Sequence, residues 1–309
     1  MNKKVPPQKG SRTLKRIIVL GVMRSGTSLT AELIRLWGAF AGPPRQLWES
    51  NVNDPRGYGY MEYIPLQNLN NEILDNNDRV PPLAEVLEQK ISQRTYQEQG
   101  ENLLQTMDNL ALENGAEEWV WKDARLPLTL PFWSNLWGDV IYVITIRHPA
   151  EIALSLAQAA EIDKDNLPYS AGFTYWQYCM LQVISFTQQS KRKIFIAFDQ
   201  LINNSEQECT RLSNFLDEHC EKGSEDSDKR IAAMLAHVAK NQQHQHYQTP
   251  LAEMPQATRE QRALYDFLRV KIQYPDEACN INDFALYPGW REYLESVDML
   301  MTLQGAKDM

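Results

Sequence analysis

The sequence predicts one α/β domain with a central parallel sheet flanked by helices. Blocks of apolar and β-branched residues alternate with segments whose apolar residues recur at helical spacing, the pattern of strands alternating with helices. The most apolar block, residues 139–146, is typical of a strand covered on both faces. No internal repeat or low-complexity linker divides the chain. We therefore expect a flexible basic tail over residues 1–14 and one domain over residues 15–309.

The elements follow in order along the chain. A first strand over residues 15–23 leads through a glycine-rich loop into a helix that ends near Gly38. The segment 42–60 is rich in Pro, Gly, Asn and Asp, which is typical of long irregular loops that carry function. Further strands are predicted over 119–121, 139–146 and 193–198. Further helices are predicted over 103–111, 149–162, 206–220, 258–272 and 289–303, and the acidic stretch 217–228 as a frayed helix end and solvated loop.

Composition excludes several classes of protein. Forty acidic and 31 basic residues give a formal net charge of -9, which argues against a nucleic-acid binder. No apolar run approaches the roughly 20 residues of a membrane span. The four cysteines form no CxxC pair and no metal-type spacing with the histidines, so we expect free thiols, a cytoplasmic location and no metal site.

The loop after the first strand, residues 21–28, has the form G-x-x-x-x-G-T-S and is called the glycine loop below. Its glycines allow a tight turn, and its N–H groups, with the start of the next helix, make a cradle for a phosphate. The spacing copies a Walker A loop, but Thr27 stands where ATP-dependent phosphoryl transferases have a lysine. The residues expected to line this phosphate site are Arg24, Ser25, Gly26, Thr27 and Ser28.

A second anion site is predicted at the end of the strand 139–146. Arg147 follows that strand directly, and Ser155 lies eight residues later, about two turns into the next helix. Ligands of open α/β sheets sit beyond the carboxyl ends of the strands, so Arg147 should project into the same crevice as the glycine loop. A P-loop kinase would place an aspartate there to hold Mg²⁺. An arginine instead indicates an anion bound without metal.

These motifs resemble those of the sulfotransferases that use 3′-phosphoadenosine 5′-phosphosulfate (PAPS). The glycine loop is similar to their 5′-phosphosulfate loop, and Arg147 with Ser155 to their 3′-phosphate pair. Residues 122–127 (KDARLP) resemble the K-D-P-R-L segment of bacterial members, and residues 59–62 (GYME) their G-Y-x-E stretch. Residues 198–201 (FDQL) are similar to their Y-E-D-L segment. The C-terminal R-K-G-x-x-G-D-W-K signature of the cytosolic eukaryotic branch is absent.

The resemblance implies a P-loop-like fold and transfer of a sulfuryl group from PAPS to a hydroxyl or amine, leaving PAP. The acceptor would be a small molecule, a carbohydrate or a lipid. Arg24 and Lys122 would stabilise the developing charge. Glu62 is the first candidate for the general base, and Glu49 and Asp123 are alternatives. His148 is expected to satisfy local backbone groups instead.

Other interpretations stay open at this point. The aromatic residues that could line the acceptor site are Trp48, Tyr58, Tyr60, Tyr63 and Trp176, and core packing is the more common role for Trp176. A nucleotide or small-molecule kinase with an altered P-loop is the alternative function. A protein that binds PAP without transferring anything is a third.

Overall fold

The computed structural model describes residues 14–48, 61–77, 80–159, 169–222, 226–240 and 249–305. The predicted tail, residues 1–14, lies outside these ranges except for Leu14. The strands of the described part are β1 (Lys15–Leu20), β2 (Glu118–Lys122), β3 (Ile141–Ile146) and β4 (Lys193–Ala197). They form one parallel sheet in the order β2-β1-β3-β4, which confirms the predicted fold class.

The carboxyl ends of the four strands lie at one edge of the sheet. Val19 of β1 pairs with Lys122, the last residue of β2, and Leu20 pairs with Ile144 of β3. Ile146, the last residue of β3, pairs with Ala197 of β4. The segments that follow the strands therefore start side by side, where open α/β sheets bind their ligands.

Helices connect the strands and cover both faces of the sheet. The glycine that follows α1, Gly38, has φ +125°, a conformation that favours glycine and ends the helix. The helices of the described part are α1 (Thr27–Trp37), α2 (Ile64–Ile73), α3 (Ala84–Ile91), α4 (Arg94–Glu113), α5 (Leu126–Trp133), α6 (Pro149–Ala159), α7 (Tyr169–Thr187), α8 (Phe198–Asn203), α9 (Ser205–Cys220), α10 (Ser227–Lys240), α11 (Arg259–Lys271) and α12 (Trp290–Gly305).

The sheet separates two layers of the hydrophobic core. Because side chains alternate along a strand, Ile18 faces one layer and Ile17 the other. The first layer packs against α2, α4, α5 and α7, and the second against α1, α9 and α10. Trp176 of α7 is buried in the first layer, as its core interpretation predicts.

The prediction of a frayed helix end and a solvated loop over 217–228 was wrong at both ends of this stretch, because hydrogen bonds hold Asp217 in the last turn of α9 and residues 227 and 228 begin α10. Asp217 lies inside α9, and its carboxylate accepts hydrogen bonds from Trp37 Nε1 at 2.9 Å and from Arg230 Nη2 at 2.8 Å. This residue therefore joins three helices, α1, α9 and α10. Neither partner belongs to the acidic stretch itself, so the charge run alone could not indicate these contacts.

Both outer edges of the sheet carry additional hydrogen bonds. Beside β2, the N–H of Phe40 donates to the carbonyl of Glu118 at 2.9 Å, and its carbonyl accepts from Val120 N–H at 2.9 Å. Beside β4, Arg211 Nη2 donates to the carbonyl of Phe195 at 2.7 Å. Backbone groups on each edge strand are thus bound within the chain.

Candidate active site

The glycine loop packs tightly against the neighbouring strand ends. Gly26 has φ +97°, and a Cβ at this position would overlap the ring of Phe198, the first residue of α8. A Cβ at Gly21 would overlap the hydroxyl of Thr145 on β3. The loop can lie this close to β3 and α8 only because these two residues are glycines.

Polar side chains of the loop hold it to the sheet and start α1. Ser25 Oγ lies 2.7 Å from Thr145 Oγ1, and both side chains are buried. Thr27 and Ser28, also buried, form the first turn of α1, where no side chain caps the helix and no acidic residue occurs. The N–H groups of this turn point out of the helix start, which favours an anion there.

The structure brings Arg24, Arg147 and Ser155 together, as predicted. Arg24 Nε donates to Ser155 Oγ at 2.9 Å, across from the glycine loop to α6. Arg147 Nη1 donates to the backbone carbonyl of Arg24 at 2.9 Å. The glycine loop is therefore bound both to the end of β3, through Arg147, and to α6, through Ser155.

Two further residues of this region were not predicted. Glu151 Oε2 accepts a hydrogen bond from Arg147 Nε at 2.8 Å, and the guanidinium of Arg147 lies 4.4 Å from the ring centre of Phe198. The spacing of four residues between Arg147 and Glu151 on a helix start is a local signal that could have indicated the pair. Phe198 comes from a distant strand end, so its stacking has no local signal.

His148 caps α6, which confirms the structural interpretation of this residue. Its Nδ1 accepts a hydrogen bond from the N–H of Ala150 at 3.2 Å. Burial lowers the pKa of His148, and the nearby charge of Glu151 opposes this shift. A neutral ring is what the bond from Ala150 requires, because Nδ1 must keep its lone pair.

Glu62 and Lys122 form a buried ion pair at the end of β2. Lys122 Nζ lies 2.5 Å from Glu62 Oε1, and the side chains are 3% and 1% exposed. Glu62 also accepts hydrogen bonds from the N–H of Ala124 at 3.2 Å, Gln67 Nε2 at 2.7 Å and Arg125 Nη1 at 3.4 Å. Four donors therefore surround the two oxygens of this carboxylate.

Asp123 shares Arg125 with Glu62. Arg125 Nη1 lies 3.2 Å from Asp123 Oδ1, and the Arg125 N–H donates to the same oxygen at 2.8 Å. Burial, together with the charge of Glu62, raises the pKa of Asp123 to about 6, although Arg125 opposes the shift. We call Glu62, Lys122, Asp123 and Arg125 the carboxylate cluster.

Asn70 on α2 is hydrogen-bonded to the carboxylate cluster, and the sequence did not predict this residue as part of the site. Its Nδ2 donates to Asp123 Oδ2 at 2.8 Å. Its Oδ1 accepts from Trp133 Nε1 at 2.7 Å and from Thr129 Oγ1 at 2.9 Å. Because two donors fix the amide oxygen, the nitrogen must face Asp123. The amide therefore ties α2 and α5 to the end of β2.

Comparison with known proteins identifies the family. A model of the sulfotransferase family matches residues 16–222, more than half of the chain. The chain belongs to the sulfotransferase family.

Similar solved structures include two sulfotransferase domains. One, from the curacin biosynthetic pathway, is 18% identical over 87% of this chain and 100% of that chain, with a TM-score of 0.43. The other, from the Synechococcus PCC 7002 olefin synthase, is 14% identical over 96% of this chain and 98% of that chain, with a TM-score of 0.45. No match was found among curated proteins.

The region around Glu62 in this sulfotransferase includes two of the aromatic candidates. Trp48 N–H donates to the carbonyl of Glu62 at 2.8 Å, and Tyr63 pairs with Leu47 in an antiparallel bridge. Trp48 is exposed and Tyr63 is buried. The alternative base Glu49 and the aromatic residues Tyr58 and Tyr60 lie outside the described residues.

Among the described residues, no group of three or more His, Cys, Asp or Glu side chains could hold a metal ion. In the same part of the sulfotransferase, no helix combines the length and apolar character needed to cross a membrane.

Proposed function

We propose that this sulfotransferase transfers the sulfuryl group of PAPS to a hydroxyl or amine of a small-molecule, carbohydrate or lipid acceptor and releases PAP. The observation that carries the proposal is the contact of Arg24 with Ser155 and of Arg147 with the Arg24 carbonyl. Two cations and a hydroxyl thus meet beside an uncapped helix start, a combination suited to the phosphates of one nucleotide.

The residues divide between the two phosphates of the nucleotide. Arg24, Ser25, Gly26, Thr27 and Ser28 hold the 5′-phosphosulfate, mainly through loop N–H groups. Arg147 and Ser155 hold the 3′-phosphate, and Arg147 then exchanges part of its contact with Glu151 for the ligand.

Catalysis in this proposal uses the ion pair of Glu62 and Lys122. PAPS supplies the activated sulfuryl group. Lys122 turns from Glu62 to donate to the phosphate oxygen that loses its bond to sulfur, and this movement frees a lone pair on Glu62 Oε1. Glu62 accepts the proton of the acceptor hydroxyl while that oxygen bonds to sulfur. Asp123 and Glu49 remain the alternative bases.

We also propose that the enzyme is cytoplasmic and that its sulfotransferase domain has the bounds given below. The cysteines Cys179, Cys209, Cys220 and Cys279 are free thiols, as the sequence predicts, which is consistent with a cytoplasmic enzyme. One sulfotransferase domain over residues 15–309 is the extent we propose.

Ligand-induced stabilisation tests the proposal directly. PAP in the presence of EDTA should raise the melting temperature, and at 100-fold its dissociation constant it should add about 2.7 kcal/mol to the free energy of unfolding. Sulfuryl transfer from labelled PAPS should then be screened over hydroxylated and amine acceptors. A thermal shift with ATP and Mg²⁺ but none with PAP would favour the kinase alternative and overturn the proposal. Binding of PAP without transfer to any acceptor would favour the binding protein.

A further inference from the structure

Helix α11 contacts the ends of two strands beside the proposed nucleotide site. It covers Arg259–Lys271, beyond residue 222, where the match to the family ends. Tyr265 and Arg269 are four residues apart on this helix, so their side chains lie on one face. Tyr265 contacts His148, the residue after Arg147, and Arg269 contacts Asp199, the residue after Phe198.

Tyr265 contacts the neighbour of Arg147. Its ring packs edge-on against His148, with ring centres 5.2 Å apart. His148 lies between Arg147 and Pro149 and caps α6, the helix that also carries Ser155. A shift of the His148 ring would therefore disturb the cap of α6, which lies in sequence between the two residues proposed for the 3′-phosphate.

Arg269 contacts the neighbour of Phe198. Its Nη1 lies 2.7 Å from Asp199 Oδ1, and both side chains are about one-third exposed. The ring of Phe198 lies under the guanidinium of Arg147 and against Gly26. Asp199 is thus the point at which α11 fixes the start of α8.

We propose that Tyr265 and Arg269 are positioning residues for the 3′-phosphate site, acting through His148 and Asp199. Together they hold the segments after β3 and β4 in the register that places Arg147 between Phe198 and the glycine loop. The inference rests on the proposed function, because it assumes that Arg147 binds the 3′-phosphate.

The test compares two ligands that differ only in the 3′-phosphate, PAP and AMP. Calorimetric titration gives the ratio of their dissociation constants, which reports the contribution of that phosphate. In Arg269→Ala the preference for PAP over AMP should fall about three- to tenfold, while AMP affinity stays nearly unchanged. Arg269→Lys, which keeps the cation, should recover most of the preference. Should Arg269→Ala fail to fold, Arg269→Gln keeps the side-chain stem for the same measurement.

Arg262→Ala is the matched control on the same helix. Arg262 Nη2 donates to the carbonyl of Met254 at 2.8 Å, and Met254 does not belong to the segments that follow β3 and β4, so this variant should keep the ratio of the wild-type protein. An equal loss for PAP and AMP in Arg269→Ala, or an unchanged ratio, would overturn the inference. If the wild-type protein shows no preference for PAP, the proposed function fails instead, so the two failures are distinguishable.

Discussion

Two groups of charged side chains lie at the carboxyl edge of the sheet, and they differ in burial. After β1 and β3, Arg24 and Ser155 are half-buried, the Arg147 side chain is 10% exposed, and single hydrogen bonds join the three residues. After β2, Glu62 and Lys122 are almost completely buried, and four donors surround the Glu62 carboxylate.

This difference indicates different tasks for the two groups. In the proposed function, a phosphate would replace single contacts of Arg24 and Arg147, which suits binding and release. In the carboxylate cluster, each contact that is lost leaves a charge in a region of low dielectric. We therefore expect substitution of Arg147 to change mainly ligand affinity, and substitutions in the carboxylate cluster to change both stability and turnover.

The largest effect is expected for Glu62→Gln. Removal of the proposed base should lower turnover by about 10²–10⁴-fold in the labelled PAPS assay. The same change leaves Lys122 buried without its carboxylate, which should cost about 3–5 kcal/mol of unfolding free energy in urea titrations. PAP affinity should stay nearly unchanged, because Glu62 is assigned to the acceptor side.

A double variant separates the two consequences. Glu62→Gln with Lys122→Met removes both charges, so it should recover most of the stability while turnover stays low. Lys122→Ala alone should slow turnover and also weaken PAPS binding. Normal turnover in Glu62→Gln would reject Glu62 as the base, and activity of Asp123→Asn and Glu49→Gln would then decide between the alternatives.

Arg147→Ala tests the proposed 3′-phosphate site. Loss of one charge-assisted contact should weaken PAP binding by about 1.5–3 kcal/mol, measured by calorimetry. AMP, which lacks the 3′-phosphate, serves as the control ligand and should bind as it does to the wild-type protein. The free energy of unfolding should change less than in Glu62→Gln. Equal losses for both ligands would remove Arg147 from the 3′-phosphate site.

The smallest expected effect is the pH dependence that Asp123 contributes. Its pKa is about 6 in the folded chain and near 3.8 without the surrounding structure. Between these values the folded chain binds a proton that the unfolded chain does not, so this contribution to stability should grow as pH falls from about 7 to 5. It should be absent in Asp123→Asn.

Urea titrations of both proteins at several pH values measure this contribution. The difference between the two curves isolates Asp123, because His148, His219 and His237, whose pKa values are lowered by burial, contribute to both. Parallel curves would show that Asp123 does not titrate in this range.

The features that the sequence predicts correctly are local or follow from the topology of the sheet. The glycine loop is recognisable because its glycines, its hydroxyl residues and the following helix are consecutive. The position of Arg147 beside this loop follows from parallel strands, whose carboxyl ends must share an edge. The cap formed by His148 was predictable because its partner, Ala150, is two residues away.

The carboxylate cluster could be predicted only as separate residues. Glu62 and Lys122 are 60 positions apart. The motifs assigned Glu62 to the acceptor and Lys122 to the leaving phosphate, and they did not indicate that the two residues form an ion pair. Asn70 and Trp133 carry only the helical pattern of their own segments. Their contacts depend on how α2 and α5 pack under β2, which no spacing in the sequence indicates.

The occupied edges of the sheet also affect how the protein behaves at high concentration. An open strand edge offers backbone groups to strands of other molecules, which is a common start of aggregation. At one edge the backbone of Phe40 is hydrogen-bonded to the backbone of Glu118 and Val120, and at the other the Arg211 guanidinium donates to the Phe195 carbonyl. A strand from a second molecule would have to displace these bonds before it could extend the sheet, so crowding at high concentration should favour separate molecules over edge-to-edge assemblies.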